Sequence, residues 1–316
     1  MKKKTAFGFL AFICVCSKLL VIGAAASAEE PASVTVVDDL GREVIAPYRP
    51  QRVAALLGSF ADIWTLADGP DSLVAAAEDT WTSFDLDLGE DVVNLGPVRS
   101  FDLEKLIASE PDLILASSVQ ALDLELLPTF EELGYPVVYF DVSGFAEYLH
   151  MLEVCTQITG AQDRYTRYGS DVVAQVDAAI ALQDGSAPSV LYIRASSGSF
   201  SVKGSEGNVL GEMLAALGCR NIADGDNSLL ENLSLEVILE EDPDYIFIVY
   251  QAADPTQAQA LLEESLLSNP AWSGLRAVQE GRVFVLEHRL YNLKPNAQWG
   301  AAYEALARIL YGDDES

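Results

Sequence analysis

Short apolar runs alternate with helical periodicities along almost the whole of this 316-residue chain. Val34-Thr35-Val36-Val37 and Glu43-Val44-Ile45 flank Asp39-Leu40-Gly41, which predicts a β-hairpin. Arg52-Val53-Ala54-Ala55-Leu56 predicts a buried strand, and a helix bearing Ile63, Trp64 and Leu66 follows from Ser59. Leu73 to Ala76, Leu113-Ile114-Leu115-Ala116 and Val137-Val138-Tyr139-Phe140 predict further strands, with a helix around 122–133 before the last. Strands that alternate with helices predict parallel sheet built from βαβ units.

From Phe145 to Gln183 the pattern is helical throughout. Tyr148, Leu149, Leu152, Cys155 and Ile158 share one face, and after Gly160 so do Tyr165, Tyr168, Val172, Val176 and Ile180. Asp184-Gly185-Ser186-Ala187-Pro188 ends the segment. Alternation then resumes: Val190-Leu191-Tyr192-Ile193 predicts a strand, 209–217 a helix, Tyr245-Ile246-Phe247-Ile248-Val249 a strand, and about 296–311 a final helix. The expected fold class is α/β, with two lobes built on mainly parallel central sheets. The lobes are expected at 29–143 and 187–316, joined by a long helix within a helical linker at 144–186.

An internal repeat supports two related halves. Leu103-Glu104-Lys105-Leu106-Ile107-Ala108-Ser109-Glu110-Pro111-Asp112-Leu113-Ile114 aligns without gaps on Leu235-Glu236-Val237-Ile238-Leu239-Glu240-Glu241-Asp242-Pro243-Asp244-Tyr245-Ile246, an offset (236 − 104) of 132 residues. Each copy predicts a short helix opening with Leu-Glu, stopped by Pro-Asp, then a buried strand. Two copies are too few for a solenoid and fit a pseudo-symmetric pair of lobes.

The amino terminus predicts export. Lys2, Lys3 and Lys4 precede an apolar stretch that ends at Ala26-Ser27-Ala28, so residues 1–28 read as a signal peptide. Lys18 interrupts that stretch and leaves it short of the roughly 20 apolar residues of a spanning helix. The residues before Cys14 and Cys16 are bulky rather than small, which favours plain secretion over lipid attachment. Cys155 and Cys219 then remain, compatible with one bridge or with two buried thiols.

Charge narrows the partners. Of 19 basic residues four lysines leave with the signal, and 15 against 48 acidic ones is a net charge of −33. Such a surface repels nucleic acid and anionic lipid, although solubility alone accounts for most of the excess.

The order and spacing of Asp39-Leu40-Gly41-Arg42-Glu43-Val44, Pro50-Gln51-Arg52-Val53 and the two Leu-Glu…Pro-Asp copies resemble the periplasmic-binding-protein family for iron-siderophores, haem and vitamin B12. The resemblance runs from about Val34 to Tyr311. It implies a class III architecture: two α/β lobes bridged by one helix, with ligand between lobes that move little. It also implies that one outward glutamate on each lobe, here Glu104 and Glu236, meets arginines of an ABC permease. A carboxylate in a helix's first turn is favoured by the dipole in any case. A monomer is expected, with no resident cofactor.

Within that frame, basic residues near predicted strand ends are the candidates for binding an anionic chelate. They are Arg194, Lys203, Arg99, Arg289 and Lys294. Trp81, Tyr250 and Tyr291 could line a cleft, with Trp81 placed in a loop, and Ser59, Ser117 and Ser118 could donate hydrogen bonds. Trp64 and Trp272 read as core, while Trp299 fits either role. His150 and His288 are too far apart in sequence for a bare-metal cluster, with His288 beside Arg289 the better candidate of the two. Ser196-Ser197-Gly198-Ser199 lacks a nucleophile-elbow pattern, and the chain has no Walker or dinucleotide loop, so no enzyme activity is expected. The expected function is capture of a ferric siderophore or haem, with cobalamin behind them, for an ABC importer. The alternative is a sensor or surface-binding protein on the same fold.

Overall fold

The computed structural model describes residues 30–225, 230, 234–252 and 254–312. The expected signal segment, with Cys14 and Cys16, lies outside the described residues. Residues 32–316 form one compact unit.

The predicted hairpin is present as β1 (Ser33–Val37) and β2 (Glu43–Pro47), paired antiparallel. The Asp-Leu-Gly-Arg signature explains how it attaches. Asp38 accepts the backbone N–H groups of Leu40 and Arg42 at 3.1 and 2.9 Å, and Gly41 takes the left-handed φ of 74° that closes the turn. Arg42 then bridges Asp38 at 2.6 Å, donates to the Val137 carbonyl at 3.0 Å and lies over the Tyr139 ring. That pins the hairpin to the first lobe.

The first lobe carries β3 (Val53–Ala55), β4 (Leu73–Ala76), β5 (Val93–Asn94), β6 (Leu113–Ser117) and β7 (Val137–Phe140). All pairings are parallel, in the order β5-β4-β3-β6-β7. The second lobe carries β8 (Ser189–Ala195), β9 (Phe200–Lys203), β10 (Arg220–Asn221), β11 (Tyr245–Tyr250) and β12 (Val283–Leu286). Its parallel order is β10-β8-β11-β12, with β9 added antiparallel to β8.

The central strands of both sheets are buried on two faces, which is why they read as continuous apolar runs. In the first lobe Val53, Ala55, Leu113, Leu115, Val138 and Phe140 face one core, while Ala54, Ile114, Ala116, Val137 and Tyr139 face another. In the second lobe Val190, Tyr192, Phe247 and Val249 join the same first core, and Leu191, Ile193, Ile246 and Ile248 face a third. The core common to both lobes also contains Tyr148, Leu152, Cys155, Val172 and Val176 from the helical segment and Trp299, Tyr303 and Leu306 from the last helix. One continuous apolar body therefore welds the two sheets together.

The helical segment divides at Gly160 into Phe145–Thr159 and a second stretch from Gln162 to Ile180. Gly160 has a φ of 76°, and a Cβ there would strike the Tyr48 hydroxyl, so the break is local and steric. The stretch predicted around 122–133 likewise divides, into Ala121–Glu125 and Leu127–Leu133, because Pro128 starts a new helix.

The repeat is a structural one. Helices Leu103–Ala108 and Leu235–Glu241 are capped by Asp102 and Ser234, and each is followed by a left-handed residue before proline, Glu110 at φ 46° and Asp242 at φ 38°. Asp112 accepts the N–H groups of Gln51 and Arg52 ahead of β3 at 2.8 and 3.0 Å. Its counterpart Asp244 accepts the Ser189 N–H and hydroxyl at the start of β8 at 2.8 and 2.7 Å. Each lobe thus uses the same aspartate to tie together the two strands at its centre.

Candidate functional site

In each sheet the chain reverses its direction of strand addition between the two central strands, β3 and β6 or β8 and β11. Ligands of open α/β sheets collect at the carboxyl ends of strands at such points. The first lobe has a cavity there, and the second lobe has one along its β8–β9 edge.

The first cavity, of about 470 Å³, opens where β3, β6 and β7 end. Leu57, Ser59, Phe60, Ser117, Asp141 and Val142 line it on the first lobe, and Gly207 of the second lobe and Asn292, Leu293 and Lys294 face them. The helix Gly58–Leu66 starts tightly against residues 79–80: a Cβ on Gly58 would lie 2.7 Å from the Thr80 backbone nitrogen. Asp79 accepts the Gly58 N–H at 2.9 Å, and burial pushes its carboxyl up to about 6. Ser117 donates its N–H to Asp123 at 2.7 Å, and burial likewise raises Asp123 to about 6. Lys294 donates to the Ser143 carbonyl at 3.3 Å. Burial lowers its pKa, against the pull of Asp141, Glu212 and Glu147.

The second cavity, of about 520 Å³, lies along the paired β8 and β9, on the side of β8 away from β11, and shares Gly207 with the first. Arg194, Lys203 and the loop 204–208 line it with Asp224 and Leu230. The loop is fixed by its own hydrogen bonds. Asn208 caps the following helix at Gly211 (2.8 Å) and donates back to Gly204 at 3.0 Å, while Ser205 gives its N–H and hydroxyl to Asp224 at 2.8 and 2.6 Å. Across the β8–β9 ladder Lys203 faces Tyr192, and Arg194 lies two residues further along β8 on that same face. Burial lowers the Lys203 pKa, and the neighbouring Arg194 charge adds to the effect. Neither cation makes an ion pair among the described residues.

The remaining candidates divide. Arg289 stands behind the first cavity, 3.0 Å from Asp62, donating to the Lys294 carbonyl and stacked 4.2 Å over the Phe84 ring. Tyr250 is buried at the end of β11, and its carbonyl accepts His288 Nδ1–H at 2.8 Å. Tyr291 is turned into the core, where its hydroxyl donates to Ala302 at 3.0 Å, so its ring is not presented to a ligand. Trp81 sits half-buried on a short helix, Asp79–Thr82, rather than in a loop, and lines neither cavity. Arg99 is exposed on the turn Val98–Ser100, away from both. Trp64, Trp272 and Trp299 are all core. Glu104 and Glu236 are exposed in the first turns of the repeat helices. Cys155 and Cys219 are free thiols. Among the described residues no group of three His, Cys, Asp or Glu is placed to hold a metal ion.

Sequence reading did not single out Asp79 or Asp141. Asp141 follows directly on a predicted strand, a usable signal, but 48 acidic residues drowned it. Asp79 had no such marker.

Two α/β lobes, each on a central mainly parallel sheet, are the class III architecture, and residues 53–290 match the periplasmic binding protein family. The chain belongs to that family. It is 25% identical over 266 residues to the ferric-anguibactin-binding protein FatB of Vibrio anguillarum, covering 80% of each chain. Its fold superposes on the siderophore-binding protein BauB, solved with a complex of two acinetobactin molecules and ferric iron (TM-score 0.70, 20% identity, 88% of this chain and 98% of that one). It also superposes on a periplasmic heme-binding protein from Pseudomonas aeruginosa (TM-score 0.65, 22% identity, 84% and 94%).

Proposed function

We propose that the protein is the substrate-binding component of an ABC importer, taking a ferric siderophore or haem into the cleft between its lobes and delivering it to a permease. The observation that carries this reading is the pair Arg194 and Lys203. In a chain of net charge −29, two half-buried neighbouring cations face a cavity without a carboxylate partner among the described residues. Holding like charges together costs stability, and an anionic ligand offsets that cost. The names of FatB, BauB and the heme-binding relative point to the same ligand class, with cobalamin behind it. The lobes would meet through residues 144–186. Export would follow from the amino-terminal signal, and Glu104 and Glu236 would meet permease arginines.

The test is tryptophan fluorescence and thermal shift of the purified protein against ferric siderophores, haem and cobalamin. A saturable response that weakens in Arg194→Ala supports the reading. No response to any of these ligands overturns it.

A further inference from the structure

The two cavities that meet at Gly207 differ in chemical character. On the second lobe Arg194 and Lys203 are uncommitted, whereas Asp224 is held by two hydrogen bonds from Ser205. On the first lobe the position is reversed. Asp79 commits one oxygen to the Gly58 N–H, Asp141 has no side-chain hydrogen bond, and neither makes an ion pair among the described residues. Lys294, in the same lining, is drawn against the Ser143 carbonyl and its charge partly offsets that of Asp141, leaving the two carboxylates in excess of the one cation.

Two hydroxyls mark this half as a polar contact surface rather than packing. Ser59 is 5% exposed and lines the cavity, yet its hydroxyl has no hydrogen-bond partner among the described residues. Ser117, also buried there, accepts from the Val119 N–H at 3.3 Å while its own proton has no acceptor among them. The Ser59 hydroxyl is not among the fully buried unpaired polar atoms, so it opens onto the cavity and is free to bond to an occupant. Val119 and Leu293 add apolar surface beside them.

We propose that the cleft selects a bipolar ligand. The electron-rich chelating face of a metal complex lies on Arg194 and Lys203, and a protonated amine or comparable N–H donor at its far end lies against Asp79 and Asp141. This rests on the chelate-binding reading and narrows it. Chelates that carry negative charge at both ends bring like charge onto the first-lobe carboxylates and bind less well.

The experiment is a fluorescence-quenching titration with ferrioxamine B, whose ferric trihydroxamate carries a pendant ammonium, and with its N-acetylated form, which lacks that charge. At 0.15 M salt, general attraction to an acidic protein is screened beyond about 8 Å. The free-amine form is expected to bind about tenfold more tightly, as for one charge-assisted hydrogen bond. Asp141→Asn should bring the ratio toward one, and Arg194→Ala should weaken both forms equally. Asp79→Asn should act like Asp141→Asn, but Asp79 also anchors Gly58, so Asp141→Asn decides if that variant fails to fold. Equal binding of the two forms by the wild type, or an unchanged ratio in Asp141→Asn, overturns the inference and leaves chelate binding standing. Failure of any ferric chelate or haem to bind overturns both.

Discussion

Replacing Arg289 by alanine tests how the segment after β12 is held to the first lobe. The guanidinium lies 3.0 Å from the Asp62 carboxylate, and both side chains are largely withdrawn from water, at 20% and 15% exposure. Asp62 also accepts from the Asn296 amide at 2.7 Å. Burial raises the Asp62 pKa, with Asn296 and Arg289 working against that rise. Without Arg289 the carboxylate would keep a single amide donor in a desolvated site. Breaking a buried pair by removing one partner costs about 3–5 kcal/mol. The surviving Asn296 bond argues for the lower end, about 3 kcal/mol, with loss of the Phe84 stack contributing about 1 kcal/mol or less of it. With a urea m-value of about 3 kcal/mol/M, the unfolding midpoint followed by fluorescence should fall by about 1 M. The sign of the pH dependence follows from Asp62. Its carboxyl loses a counter-charge, its folded pKa rises further above the unfolded value, and the variant's folded state gains by taking up a proton. The penalty should therefore be larger at pH 8 than at pH 5, and Asp62→Asn combined with Arg289→Ala should recover part of it. A variant within about 0.5 kcal/mol of wild type at pH 8, or a penalty that grows on acidification, would refute the reasoning.

Three further outcomes are expected. Lys203→Gln should weaken chelate binding by about tenfold or more while leaving the thermal midpoint unchanged or higher, because it relieves the repulsion from Arg194; a matching loss of stability would mean that Lys203 serves the fold. Asp112→Ala and Asp244→Ala should cost similar amounts in urea unfolding, about 2–3 kcal/mol each, since each carboxylate anchors the start of a central strand; one large and one negligible cost would deny the shared role. Ellman's reagent should leave the buried Cys155 unmodified in the native protein, label the half-buried Cys219 only slowly because burial pushes its thiol up to about 12, and label both in denaturant; rapid native labelling of Cys155, or no labelling in denaturant, would contradict two free thiols of unequal burial.

Much of the fold was legible in the chain because its signals are local. Strands buried on both faces need unbroken apolar runs, and 113–117, 137–140 and 245–250 carry them. The repeat at an offset of 132 residues announced two related lobes, and its aspartates do the same work in each. The break at Gly160 was less legible, since helical periodicity continues on both sides of it. What fails there is the room for a Cβ beside Tyr48, more than a hundred positions away.

The site belongs to tertiary structure. Ser59, Ser117, Asp141, Gly207 and Lys294 are scattered over most of the chain and share one cavity because strand order places their loops at one end of two sheets. Arg194 and Arg99 looked alike as scarce cations near strands, yet one lines a cavity and the other faces solvent. Tyr291 was a candidate to line the cleft, but it ends the short helix His288–Tyr291 and turns inward to the Ala302 carbonyl. Local pattern determines which residues are strand, helix or turn, because burial on one face or two sets the period of apolar positions. Which side chains converge depends on how those elements pack, and no periodicity along the chain encodes that.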